Sequence, residues 1–448
     1  MHASMKSFLP AILLLLNFSY CTSQEKKATE KTYQAALLRQ DITQLENALI
    51  ELHSGVDRHV PLKEIRNDFG KARTKVDHAL TSFEFYRLIA PLVAGIQCGH
   101  TRIIPSDELR SHFDSAVAFF PTPVKVSDNR LFAKMKDGKI IEIKQINNQS
   151  GEEILKKIYS SFPVDGQAHS AKQDYVSEQF SRYYFMFVDH QPRQFNLRIV
   201  QTETSEDNEN ITLQPVSVSS LVMEDEEMPI EFSMRNRVGY LKVNTFSSYS
   251  YRSRGIDYED FLKKTFLRLK SESVDKLVID IRGNGGGDDQ FGALLFSYVA
   301  QQPFGYFKKV YRKEGNNSID VGHPCVQLQH PQPDSFNGKV CLLINGRTFS
   351  TAADVASMFR SNKRAMIIGS ETGGGYEGNT SGANETVELN NSHIKIQIPR
   401  WYYENVVVPA PQQHRGTIPD YVVKKEPTDL FDKSNDPELN LALKILNE

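Results

Sequence analysis

Three stretches with different hydrophobic periods follow one another along the chain. Residues 24–115 predict helices. Leu45, Leu49 and Leu52 recur at helical spacing, and Thr81-Ser-Phe-Glu84 reads as a capping box opening an apolar helix, Phe83–Ile96. That helix runs into a glycine-containing turn, Gly95-Ile-Gln-Cys-Gly-His-Thr101. Residues 116–225 alternate short β-rich pieces (PVKVSD, RLFAKM, KIIEIKQI, FNLRIV, ITLQPVSV) with turns. One short helix, Ile154–Tyr159, follows the capping box Ser150-Gly-Glu-Glu153, which predicts a small β-rich domain. The acidic run Glu224–Glu227 starts a linker or a solvated face.

Residues 232–448 change period again. The strand VGYLKVNTF, the helix Tyr258–Leu269, the strand KLVIDI and the helix Phe291–Ala300 follow in turn. After them come the strand KVCLLI, the helix Thr351–Phe359 and the strand AMIIG. The strands are nearly unbroken apolar runs, as in a parallel sheet covered on both faces.

The N-terminus departs from all three patterns. Lys6 precedes a short apolar run, Phe8–Phe18, which predicts an export signal and is too short to span a bilayer comfortably. A buried helix is the competing reading, but the polar QEKKATEK follows at once. Cleavage after Ser23 and lipidation of Cys21, which would tether the chain to a membrane, both remain open. Composition narrows the rest. The 448 residues carry a formal net charge of −2, which gives no electrostatic case for nucleic acid. Four cysteines exclude a disulfide framework; Cys325 and Cys341 are either a pair or two buried thiols. The histidines are scattered without an HExxH motif, so neither a metal nor a cofactor is expected.

Two loops carry the candidate chemistry. Arg282-Gly-Asn-Gly-Gly-Gly287 follows a buried strand, but Asp288 stands where a dinucleotide loop needs glycine, and no Lys-Ser/Thr follows. What remains is backbone N–H exposed by residues without Cβ, suited to an oxyanion hole or simply to a tight turn. Asn345-Gly-Arg-Thr-Phe-Ser350 lies between a buried strand and a helix. Either Thr351 caps that helix with Asp354, freeing Ser350 as a nucleophile beside the helix N-terminus, or Ser350 is itself the cap. Among twelve histidines, His100 stands out by its place in a Gly-His-Thr turn.

The segments VGYLKVNTF, KLVIDIRGNGGG, VCLLINGRTFSTAADVASMFR and IIGSETGGG, in that order, with Gly416-Thr-Ile-Pro-Asp420 after them, closely resemble the S41 peptidases. These are the tail-specific, C-terminal processing and tricorn-core serine proteases. The resemblance implies an α/β, multi-domain chain. It would comprise a signal peptide (1–23), a helical region (24–115), a PDZ-like β-rich domain (116–225) and a crotonase-like spiral catalytic domain (226–448).

The processing branch uses a Ser–Lys dyad, but here the lysine position holds Glu371. The tricorn-like branch uses Ser and His, with the His in a turn resembling GHT. The resemblance therefore implies Ser350 as nucleophile and His100 as general base, with the backbone N–H groups of Gly286 or Gly287 and of Thr351 as oxyanion hole. In that branch a Ser beside the His and a distant Glu orient the base. Gly99 departs from this, Gln413 lies near the Glu position, and Glu371 is taken over Glu377 and Glu404 for the role. The implied partner is an extended or unfolded polypeptide, delivered by strand addition to the middle block. A non-catalytic ligand-binding protein on the same fold, like the vertebrate retinoid carriers, is the alternative. An acyl-CoA enzyme of crotonase-like architecture would need no Ser–His pair.

Overall fold

Strand Val238–Val243 pairs in parallel with Lys276–Asp280, which pairs in parallel with Lys339–Ile344, which pairs in parallel with Met366–Gly369. Ile230–Arg235 closes the first edge as an antiparallel strand, giving a five-stranded sheet. The computed structural model describes residues 30–201, 209–221, 227–315, 317–410, 414–432 and 434–448. Both sheet faces are covered, which is why the strands read as unbroken apolar runs. On one face Leu241, Ile279, Leu342 and Ile344 pack into a core shared with helices Tyr258–Ser271, Asp289–Ser297 and Thr351–Ser361. On the other, Val278, Cys341, Leu343 and Ile368 pack against Leu439, Ala442 and Leu446 of the C-terminal helix Pro437–Asn447. Cys341 thus belongs to one core and Cys325 to the other; both are buried free thiols, so the two do not pair.

The N-terminal stretch folds as predicted into helices, Ala35–Leu52, Leu62–Lys75, Ser82–Ala94 and Asp107–Ser115. Thr81 caps the third, with both halves of the Thr81–Glu84 capping box formed. The middle stretch is a six-stranded antiparallel sheet with the capped helix Gly151–Tyr159. A second, longer helix, His169–Phe187, escaped the sequence reading. Its YVSEQFSRYYFMF segment is rich in aromatic residues, poor helix formers, and the helix kinks at Gln179 (φ −128°, ψ 27°). Burial of Val176, Phe180, Tyr184 and Phe187 along one face outweighs that propensity. This helix lies against the edge strand Val124–Ser127, where the Ser177 hydroxyl accepts from the Val126 N–H at 2.8 Å. That amide is therefore not open to an added strand. One continuous apolar core joins the helical and middle stretches and takes in Ile394, Ile396 and Ile398 from far along the chain. The apolar run Phe8–Phe18 and Cys21 lie outside the described residues. Among the described residues no helix is long and apolar enough to cross a membrane.

Candidate active site

The loops leaving the carboxyl ends of the parallel strands converge on Ser350. Asn284, fully buried in the glycine loop, joins three of them. Its amide donates to the Val243 carbonyl at 2.9 Å, its Oδ1 accepts from the Gly286 N–H at 2.9 Å, and its own carbonyl accepts from the Phe349 N–H at 3.0 Å. Thr348 adds a fourth tie, donating to the Ile281 carbonyl at 3.0 Å. Asn345 Oδ1 accepts from the Gly283 amide at 2.9 Å, binding the Ser350 loop to the glycine loop.

These restraints hold Ser350 at φ 53° and ψ −132°, a conformation costly for any residue with a Cβ. Ser350 occupies the N-cap position of helix Thr351–Ser361, yet its side chain makes no capping bond. The expectation that Thr351 caps this helix is corrected. Thr351 is the first helical residue, and its hydroxyl bonds the Gly287 carbonyl (2.9 Å) and Asp289 Oδ1 (2.7 Å). Asp354 is not a capping partner either; it is buried, and Asn405 and Asn379 donate to it. The serine hydroxyl is thus left unspent at a helix N-terminus, where the macrodipole favours developing negative charge.

Backbone crowding around Ser350 explains two of the glycines. A Cβ on Gly286, at φ +98°, would stand 2.7 Å from Ser350 Cβ and 3.0 Å from the Thr351 nitrogen. One on Gly374 would stand 3.0 Å from the Ser350 nitrogen. The two amides named for Gly286 and Gly287 differ in availability. That of Gly286 is spent on Asn284, because the side-chain carbonyl turns back onto it. Those of Gly287 and Thr351 have no acceptor among the described residues.

His100 arrives from the other end of the chain. Its ring stacks on Phe349, the neighbour of Ser350, with centroids 4.5 Å apart and planes 28° from parallel. Gly99 is the residue that permits this, since a Cβ there would stand 2.7 Å from Phe349 Cζ. Burial, reinforced by Arg102 and His53, pushes the ring down to about 3, so it is neutral near pH 7. Its Nδ1 is buried and has no hydrogen-bond partner among the described residues.

Asp165, which the sequence reading missed, sits beneath the histidine turn. It is buried; Oδ1 accepts from the Gly99 N–H at 2.8 Å and Oδ2 from the Gly375 N–H at 3.4 Å. Burial raises its carboxyl to about 6, against the lowering effect of those amides and of Arg58. It therefore ties the His100 turn to the loop that packs on Ser350. The sequence offers little signal for it, because SFPVDGQ reads as an ordinary turn.

Glu371 lies elsewhere in the network. Its carboxylate receives a two-pronged Arg415 guanidinium at 2.7 and 2.6 Å and the Gly416 N–H at 2.9 Å. Both oxygens are thereby spent on Arg415 and Gly416 rather than on His100. Glu404 is likewise engaged, by Lys308 and Lys309, and Gln413 lies outside the described residues.

Residues 237–423 match the sequence pattern of peptidase family S41, a span that holds Ser350 and the glycine loop but not His100. The carboxyl-terminal-processing peptidase 2, chloroplastic, of Arabidopsis thaliana is 22% identical over 171 residues, 37% of this chain. Those residues span only 29% of that relative's length. The crystal structure of mature CPAF superposes with a TM-score of 0.62 at 15% identity, covering 92% of this chain and 96% of the other. Mature CPAF complexed with lactacystin gives 0.60 at 15% identity over 92% and 97%. At such identities the likeness is one of fold, and it extends over the helical and middle stretches as well as the parallel sheet.

Proposed function

With residues 237–423 forming a peptidase family S41 domain, we propose that the chain is a serine peptidase that uses Ser350 as nucleophile and His100 as general base. The observation that carries this reading is the serine itself. Its hydroxyl is uncommitted, its backbone is held at positive φ, the next amide, of Thr351, has no acceptor among the described residues, and nor does that of Gly287, whose carbonyl accepts from the Thr351 hydroxyl. A peptide carbonyl attacked by Ser350 Oγ would turn its developing oxyanion toward those amides and the helix N-terminus. His100 would take the serine proton and return it to the leaving amine.

Asp165 acts as the positioning residue for the base in this reading. It fixes the turn through Gly99 and sets a carboxylate near the ring as the imidazolium forms. That removes the need for the distant glutamate. The substrate is an extended polypeptide, because a folded chain would not reach a serine set among converging loops. Export, suggested by Lys6 and the run Phe8–Phe18, would place the activity outside the cytoplasm. Tethering through Cys21 belongs to the same proposal.

The deciding experiment is cleavage of an unstructured peptide mixture read by mass spectrometry, with wild type beside Ser350→Ala. New peptide ends in wild type alone support the peptidase. Identical uncut mixtures from two folded proteins would replace it with the ligand-binding reading.

A further inference from the structure

One thiol, one imidazole and one carboxylate meet beneath the candidate nucleophile. Ligand atoms of Cys98, His100 and Asp165 all lie within 4.8 Å of one another. We propose that these three residues form a binding site for a thiophilic divalent cation, zinc above all, and that its occupancy switches the peptidase off. The switch rests on the peptidase reading; the site does not.

The donor set selects the metal. Sulfur with nitrogen and a single carboxylate suits zinc, whereas calcium and magnesium require oxygen-rich shells. Tetrahedral zinc with bonds of about 2.0–2.3 Å spaces its ligands roughly 3.3–3.7 Å apart, so the cluster needs to tighten by about 1 Å. Cys98 and His100 are two residues apart on one turn. Asp165 already grips that turn through the Gly99 amide, so the outer contacts orient the ligands before any metal arrives. Among the described residues His100 Nδ1 has no partner although it is buried, an unusual state for a polar atom. Cys98 Sγ donates a weak bond to the Thr380 carbonyl at 3.3 Å.

Charge is consistent with this assignment. Binding releases the thiol proton, and thiolate plus carboxylate then neutralise the dication. Cys98 and Asp165 are buried while His100 is partly exposed, so entry is from the His100 side, and three protein ligands leave the fourth position to water. Coordination through either ring nitrogen consumes the base. A metal on one nitrogen leaves the other protonated or takes the lone pair outright, and the Ser350 proton then has no acceptor.

Cobalt titration of full-length Ser350→Ala tests the site without requiring catalysis. The expected result is a thiolate-to-cobalt charge-transfer band saturating at one equivalent and displaced by zinc. Cys98→Ser should abolish the band, and His100→Ala should weaken binding at least about tenfold, with circular dichroism confirming the fold. Zinc X-ray absorption on Ser350→Ala, showing one sulfur among nitrogen and oxygen neighbours, needs no ligand variant and covers the case in which Cys98→Ser fails to fold. A missing band, or one undiminished in folded Cys98→Ser, overturns the site. Stoichiometric zinc inhibition of wild type, reversed by a chelator, supports the switch. Inhibition that persists equally in folded Cys98→Ser overturns it. A wild type that cleaves nothing removes the switch together with the peptidase reading, and the cobalt spectrum alone then decides the site.

Discussion

Phe349 and His100 stack at 4.5 Å, so the residue beside the proposed nucleophile, Ser350, also sets the plane of the proposed base. The two side chains come from positions 249 residues apart. Their contact couples the Ser350 loop to the helical region that carries His100.

Shortening that ring should therefore damage catalysis more than folding. Phe349→Leu removes the stacking face but keeps an apolar side chain, a change costing about 1–1.5 kcal/mol of stability. We expect kcat to fall at least about tenfold with KM little changed, as positioning effects do. An unchanged kcat in a folded variant would dissociate Phe349 from the base.

Gly99→Ser would add a side chain to the turn beside His100. Here the added Cβ would stand 2.7 Å from Phe349 Cζ. The ring cannot retreat without leaving His100. Overpacking of this kind costs about 1–3 kcal/mol, visible as a lower midpoint in thermal or urea unfolding. Peptide cleavage should fall with it. A Gly99→Ser protein as stable and active as wild type would contradict the packing.

The parallel sheet was legible in the sequence because each strand is an apolar run bounded by glycine or charge, and its helices carry clear periodicity. Ser350 and the glycine loop were legible for the same reason, since they sit between a strand and a helix whose ends are easy to read. What escaped notice is set by long-range contact. Asp165 lies 65 residues from His100 and in an unremarkable turn, and only folding brings its carboxylate to the Gly99 amide. The helix His169–Phe187 was hidden by aromatic residues whose burial in the shared core outweighs their propensity. Glu371 illustrates the reverse: a suitable residue type in a suitable motif, spent on Arg415.

That contrast separates two carboxylates by experiment. Glu371→Gln removes half of a partly exposed ion pair and should lower stability by about 1–2 kcal/mol with kcat reduced less than threefold. Asp165→Asn keeps the size but cannot accept equally from the two amides, and it leaves no charge near the ring. We expect a loss of kcat of about tenfold to a hundredfold, with a shifted acid limb of the pH–rate profile. The opposite ranking in folded variants would return the orienting role to Glu371.

Acid sensitivity of the fold follows from two other histidines, His53, which is buried, and His59, which is partly buried. Burial, with help from Lys313, pushes His53 down to about 3; its Nε2 meets the Thr101 hydroxyl at 2.9 Å and its Nδ1 accepts from the Gly55 amide at 3.0 Å. Burial, with Arg58 and then His414, pushes His59 down to about 3 as well. Both are held neutral when folded and titrate near 6.5 when unfolded. Below that pH the unfolded chain binds more protons than the native one, so stability falls as pH drops from 6.5 toward 3. Each group contributes a slope of up to about 1.4 kcal/mol per pH unit in that window, and nothing above it. Urea midpoints measured from pH 8 to 4 should be flat to about 6.5 and then decline. Replacing His53 by Gln, which keeps a donor and an acceptor without a titrating ring, should remove part of the decline while lowering the plateau. A decline as steep in His53→Gln as in wild type would assign the acid sensitivity to other groups.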